Sequence, residues 1–421
     1  MHIISTFSAI SLHVVAYVIS VFLAGVIAVG LHYIVLRKYI SGMIAVQMSF
    51  VFNTAAILFG WWIKKVPELR MAHYFIYEIA TVVGVYCVYR KILQNRARLF
   101  ESLQKINVGT FTVVLLVYNI SMSLVMFKFA VGIGGSSRIG FMTTGWFSYV
   151  RPFMFIFDPL GYLFSIYLFD RGNRCLALSV LAPIVFSDIL SGSKASFIVA
   201  ILISLLVYQD LKGAKLVMPK TLKLIFVITL VLAAMFTLDR LHVSMSAMAD
   251  RFVLTGESTI EVYYSNDPSA ASSGVSTVAK IHRGVAKILG DRSANDPDTL
   301  FGFALNRLEY GVNTLTGPNA TIPSYMLCNY SGWENLIGFA SIFGYLAIVT
   351  WFYELFIYRR RQATSQIVFF PFVVSALYKF PQEYNFGMSS ITLICMFTLA
   401  FVWISVAITA SQGAKSAYDT A

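Results

Sequence analysis

The stretch SAISLHVVAYVISVFLAGVIAVGLHYIVL, residues 8–36, decides the fold class of this chain. It carries no aspartate, glutamate, lysine or arginine over a length that exceeds the roughly 20 residues a helix needs to cross a bilayer. A cleavable leader would have a basic segment followed by a shorter apolar one. The stretch is therefore interpreted as the first membrane span.

The composition extends this interpretation to the whole chain. Hydrophobic residues make up 58% of the 421 residues and charged residues only 12%, whereas a soluble domain averages about a quarter charged residues. The apolar runs predict an all-α polytopic membrane protein with about eleven transmembrane helices. The predicted spans are 9–36, 42–63, 72–89, 108–128, 152–169, 175–190, 195–209, 221–238, 334–357, 366–380 and 388–409. The pair at 175–209 is short enough to be a broken or re-entrant element.

The basic residues predict the orientation. Most connections on one side are rich in lysine and arginine, from Arg37-Lys38 to the run at 359–361, and Lys64-Lys65 is the exception on the other side. Cytoplasmic loops carry such an excess, so we expect the N-terminus on the outer side of the membrane, which is the periplasmic side in a bacterium, and the C-terminus in the cytoplasm. The same bias accounts for the net charge of +12, and no nucleic acid partner is expected.

The predicted organisation has three parts. Residues 1–238 hold transmembrane helices 1–8 with a shorter periplasmic loop at 129–151, and residues 334–421 hold helices 9–11 and the cytoplasmic C-terminus. Between them, 239–333 is a large periplasmic loop, and loops of this length are usually functional. Amphipathic patterns at 278–289 and 300–315 predict short helices on the membrane surface. The segment from Gly317 to Met326 is predicted as an extended turn, with a simple helix cap as the alternative.

The predicted periplasmic face is rich in cations, which the positive-inside bias would deplete. Guanidinium groups match phosphate oxygens well, so a phosphate or diphosphate site is predicted; lipid headgroups and pairing with nearby acidic residues are the alternatives. Glu257 and Glu261 are four apart and would share a helix face, where they could deprotonate a sugar hydroxyl or pair with Arg251. The cations on this face are Arg138, Arg151, Lys194, Arg240, Arg251, Arg283, Arg292 and Arg307.

The four cysteines and the histidines form no metal-ligand or disulfide pattern. Three of the cysteines lie in or beside apolar runs. We expect neither a metal nor a cofactor.

Two short motifs and one long loop resemble the bacterial O-antigen polymerase family and its relatives, the O-antigen ligases. They are Leu190-Ser-Gly-Ser-Lys194-Ala-Ser at the opening of a span, the long outer loop before the last three spans, and Gly317-Pro-Asn-Ala-Thr-Ile-Pro323 before a glycine-punctuated helix. Lysine stands at 194 where the family often has arginine. The ligases' His-Asn pair is absent, with Asn319 at the nearest position, and this favours a polymerase.

The resemblance implies a metal-independent glycosyltransferase that joins undecaprenyl-diphosphate-linked repeat units at the periplasmic face of the inner membrane. Its implied partners are these lipid-linked glycans and membrane lipids, with a chain-length regulator protein as a further candidate. A lipid-linked oligosaccharide flippase and an O-antigen ligase are the alternatives. The implied diphosphate-binding residues are Arg251, Arg240, Lys194, Arg138 and Arg283; Glu257 or Glu261 would act on the acceptor, and Asn319 and Tyr325 are sugar or turn positions.

Overall fold

The computed structural model describes residues 2–132, 147–190, 196–213, 257–268, 321–360, 362–382 and 390–403, and all regular structure in these ranges is helical. The helices are α1 (His2–Leu36), α2 (Ile44–Trp62), α3 (Glu68–Gln94), α4 (Arg96–Gln104), α5 (Val108–Gly132), α6 (Phe147–Asp170), α7 (Arg174–Leu190), α8 (Ser196–Lys212), α9 (Glu257–Tyr264), α10 (Ile322–Asn329), α11 (Glu334–Tyr353), α12 (Ala363–Lys379) and α13 (Ser390–Trp403). A π-helical segment, Glu354–Tyr358, extends α11.

Helices occur at every predicted span except 221–238, which lies outside the described residues. Six of them are long and apolar enough to cross a membrane, as expected of a multi-pass membrane protein. The helices α7, α8 and α12 have 17 residues each, about 25 Å at the usual rise per residue. The predicted number of eleven spans and the division into three parts remain predictions.

Polar contacts tie the helices together at one end, called here the basic end. Asp210 of α8 pairs with Lys38 beyond α1 at 2.5 Å and accepts hydrogen bonds from the Gly42 amide and the Tyr89 hydroxyl, each at 2.8 Å. At this same end Lys212 pairs with Asp170. Residues that the sequence assigns to one side of the membrane therefore lie together.

The opposite end, called here the loop end, holds the part of the predicted large loop that is described. The helices α9 and α10 pack on each other, α9 packs on α2, and α10 packs on α3. Thr259, Val262 and Tyr263 of α9 are fully buried. This part of the loop is therefore inserted among the spans; the surface helices predicted at 278–289 and 300–315 lie outside the described residues.

The prediction of an extended turn up to Met326 is wrong from Ile322 onwards. The helix α10 begins at Ile322, and the Thr321 side chain caps it by accepting from the Ser324 amide. Pro323 falls in the first turn, where a missing N–H breaks no helical hydrogen bond. The alternative of a helix cap is the one that the structure bears out.

Candidate active site

The candidate site lies where α6, α7 and α12 meet. We define the acid–lysine cluster as Asp158 and Tyr162 of α6, Asp188 of α7 and Lys379 of α12. Asp158 and Tyr162 are four residues apart, so they share one face of α6. The helix α6 packs against both α7 and α12, which brings the other two residues to that face.

The two carboxylates and the lysine interact. The buried Tyr162 hydroxyl donates a hydrogen bond to Asp188 Oδ2 at 2.5 Å. The half-buried Asp158 lies within electrostatic range of both Asp188 and Lys379. The Lys379 ammonium lies 5.7 Å from the centre of the Phe155 ring and 5.9 Å from that of Tyr378, distances at which a cation is attracted to an aromatic face.

A further tyrosine borders the cluster. The Tyr118 hydroxyl of α5 is buried, finds no hydrogen-bond partner among the described residues, and interacts electrostatically with Asp158. Two ionised carboxylates beside one lysine would give the cluster a net negative charge, which a proton on one carboxyl neutralises. Such a pair can hold a proton on one carboxyl while the other is ionised, which is the arrangement that general acid–base chemistry uses.

The position of the cluster along the helices places it towards the loop end. Asp188 is two residues from the end of α7, and Lys379 is the last residue of α12. Both ends lie opposite the basic end, since Arg174 and Ala363 begin these helices there. The chain continues from α7 directly into the Ser-Gly-Ser-Lys motif. The helix α6 begins at Phe147, inside the loop predicted at 129–151 that contains Arg138, so the last residues of that predicted loop are helical.

Most of the site residues predicted from the sequence are not described. Glu257 and Glu261 lie on α9, so the expected helix is present, but their side chains lie outside the description. Tyr325 lies on α10; it is fully buried, with its ring 6.3 Å from that of Tyr330. The remaining predicted residues fall outside the described ranges: Arg138, Lys194, Arg240, Arg251, Arg283 and Asn319.

A second group of contacts fixes α9 at the loop end. Arg70 of α3 donates to the carbonyl oxygens of Tyr263 at 3.2 Å and Asn266 at 3.3 Å, and also to that of Ser265. His73 Nδ1 and the Tyr263 hydroxyl are 3.0 Å apart. Burial, with a smaller contribution from Glu78, raises the pKa of Tyr263 well above its ordinary value. The hydroxyl therefore stays protonated and can serve as the donor to His73.

Asp158, Asp188 and Lys379 escape prediction from the sequence because each lies within a long apolar run. A signal was available in Phe-Asp158-Pro, Ser-Asp188-Ile and Tyr-Lys379-Phe. Ionisable residues within a membrane span are costly and usually face the interior of the bundle, where they mark a functional path.

Comparison with protein-family models, with curated proteins and with solved structures finds no match to this chain.

Proposed function

We propose that this protein is an O-antigen polymerase, a membrane-embedded glycosyltransferase that joins undecaprenyl-diphosphate-linked repeat units. The acid–lysine cluster carries the proposal, because it combines a candidate base with a cation in the half of the bundle nearest the long loop. The motif resemblance supplies the substrate class. In this proposal the loop end faces the periplasm of the inner membrane, as the positive-inside bias of the other end favours.

The reaction needs a base and a group that stabilises the leaving diphosphate. The acceptor hydroxyl loses its proton to a carboxylate of the cluster while its oxygen bonds to the anomeric carbon of the donor. The bond from that carbon to the diphosphate oxygen breaks, and the diphosphate leaves with the electron pair. Cations near this oxygen lower the barrier because negative charge develops there.

The roles are divided among residues as follows. Asp188, oriented by Tyr162, and Asp158 are the candidate bases, with Glu257 and Glu261 of the loop as the alternatives. Lys379 contributes a cation next to the carboxylates. The other proposed diphosphate contacts are Arg251, Arg240, Lys194, Arg138 and Arg283.

A lipid-linked oligosaccharide flippase is the second candidate, and one observation favours it. A transporter is expected to line the centre of its bundle with ionisable residues. Asp158 and Lys379 lie among the helices, as does Glu78 of α3, which is 1% exposed. The two functions differ in what a defective strain places on its surface.

The test uses a deletion strain that is complemented with tagged variants. Asp158→Asn, Asp188→Asn and Lys379→Met are expected to leave a single repeat unit on lipid A and to remove the ladder of longer chains on a gel. Glu101→Gln is the matched control, because this carboxylate is exposed on α4 and pairs only with Lys105 among the described residues. Its ladder should equal that of the wild type.

Each outcome separates the candidates. Full-length ladders in all three cluster variants, at wild-type protein levels, would remove the cluster from the mechanism. Loss of every surface repeat would indicate a flippase, and polymer accumulating on the lipid carrier would indicate a ligase.

A further inference from the structure

Glu78 lies in the interior of the bundle, away from the acid–lysine cluster. It stands near the middle of α3 and is 1% exposed. Neither carboxyl oxygen has a hydrogen-bond partner among the described residues. An isolated ionised carboxylate is strongly disfavoured at such a position, so the neutral acid is the form that the site admits.

Three other buried side chains, one each from α1, α2 and α3, also carry polar atoms without a hydrogen-bond partner among the described residues. The buried polar atoms without a partner in the described part of the chain include Gln47 Oε1, the Tyr86 hydroxyl and both ring nitrogens of His32. The His32 ring contacts the Tyr86 ring edge-on, with centroids 4.8 Å apart. Buried polar atoms of native proteins are almost always satisfied, and internal water is the usual partner where protein groups are missing.

These atoms lie on the basic-end side of Glu78. Tyr86 is eight residues further along α3, about 12 Å by the helical rise. On the antiparallel α2, Thr54 is level with Tyr74, to which it hydrogen-bonds at 3.1 Å. Gly42 is level with Tyr89, because a Cβ at Gly42 would lie 2.6 Å from the Tyr89 hydroxyl. Gln47 therefore falls at a depth between Glu78 and Tyr86.

Further polar groups lie between Tyr86 and the basic end. Tyr89, one turn beyond Tyr86, donates to Asp210, and Asp210 pairs with Lys38. The side chain of Lys38 is 32% exposed, so this pair reaches the surface of the bundle. A proton path from Glu78 to the basic end would thus run past hydroxyl, imidazole and carboxylate groups at successive depths.

On the loop-end side of Glu78, two buried tyrosine hydroxyls have partners. Here the Tyr74 hydroxyl already pairs with Thr54, and the Tyr263 hydroxyl with His73. The Tyr74 and Tyr263 rings pack edge-on at 5.7 Å, and both residues are fully buried. The helix α9 therefore closes the site at this end.

The titratable groups that face Glu78 carry no fixed positive charge. They are Tyr74 and Tyr86 on its own helix, Tyr263 on α9, and beyond them His32 on α1 beside Tyr86. No lysine or arginine of the described residues pairs with Glu78. Within the described part of the chain, no cation therefore stabilises an ionised Glu78 carboxylate.

We propose that Glu78 is an internal proton-binding site that exchanges its proton with the basic end of the bundle, through water held by Gln47, Tyr86 and His32. The carboxylic acid gives its proton to a bound water and regains one from the same row of water and polar side chains, so no other reactant is needed. Chains of acidic and histidine residues of this kind carry protons in membrane pumps and transporters. The site is separate from glycosyl transfer and does not depend on it.

The experiment is infrared spectroscopy of the purified full-length protein in lipid vesicles. The carbonyl stretch of a protonated carboxylic acid that disappears in Glu78→Gln belongs to Glu78; this variant keeps the shape and neutrality of the acid and should fold. The rate at which this band shifts in heavy water measures proton exchange. Tyr86→Phe should slow the shift about fivefold, the factor that corresponds to one lost hydrogen bond in the path.

Tyr74→Phe is the matched control, since it removes the same group on the other side of Glu78 and should leave the rate unchanged. Absence of the band from the wild type would show an ionised Glu78 and overturn the proposal. Equal rates in all variants would remove the path, and slowing by Tyr74→Phe alone would place access at the loop end. None of these readouts depends on polysaccharide synthesis.

Discussion

Replacement of Asp210 by alanine should be the most damaging single change at the basic end. Asp210 is 4% exposed and accepts from three donors that come from different parts of the chain. The Gly42 amide and the Tyr89 hydroxyl would each lose a buried partner, at about 1 kcal/mol or somewhat more apiece. Lys38 is 32% exposed and can turn towards solvent. Loss of its ion pair should therefore lower the free energy of unfolding by about 1 kcal/mol or less.

The expected loss is therefore roughly 3 kcal/mol in the free energy of unfolding. Asp210→Asn keeps the shape and one acceptor oxygen, and should lose about half as much. The assay is reversible unfolding by sodium dodecyl sulfate in mixed micelles, followed by circular dichroism. Glu101→Ala removes an exposed partner of Lys105 and should cause no measurable change. An Asp210→Ala protein within about 0.5 kcal/mol of the wild type would refute the view that this network holds α3 and α8 to the α1–α2 connection.

Two further predictions concern the loop end and the thiols. Gly60→Ala should loosen α9, because the added Cβ would lie 2.4 Å from the Tyr264 ring. Such overpacking typically lowers the free energy of unfolding by about 1–3 kcal/mol. The measurement is the rate of proteolysis within 257–268, which should increase. Gly25→Ala, with no atom within 4 Å of its Cβ, should resist proteolysis like the wild type, and equal behaviour of the two variants would contradict the docking of α9. In variants that keep only one cysteine, a maleimide should label the exposed Cys175 quickly and the buried Cys328 only after unfolding. The thiolate is the form that reacts, and burial raises the pKa of the Cys328 thiol to about 12. An impermeant reagent added to intact cells should miss Cys175, and rapid labelling there would reverse the proposed orientation.

Much of the helical framework could be predicted because each apolar run is long and local. A helix that must cross a bilayer satisfies its own backbone hydrogen bonds, so its existence follows from the composition of one segment. The start of α10 could not be fixed in the same way. Prolines at 318 and 323 favour an extended chain, but the Thr321 cap and the packing of Tyr325 favour a helix that begins at Ile322, with Pro323 in its first turn.

The candidate site was predicted less well for a physical reason. Its residues, Asp158, Asp188 and Lys379, are far apart in the chain. Each is one charged residue in an apolar run, and by itself it does not indicate which residues it contacts. Only the packing of α6 against α7 and α12 makes them neighbours, because side-chain contacts across helices depend on which faces meet. The predicted loop residues stay predictions, as the described ranges leave out nearly all of their side chains.

The sequence by itself determined that this is a helical membrane protein, and it predicted that most of the basic connections between spans share one side. The run from residue 8 to 36 suffices for the first conclusion, since its length and lack of charge leave few environments other than a bilayer. The tertiary structure alone decided that Lys38 reaches Asp210, that α9 closes the bundle above Glu78, and that two aspartates share a site with Lys379. These are contacts between residues distant in the chain, and only the way the helices pack determines them.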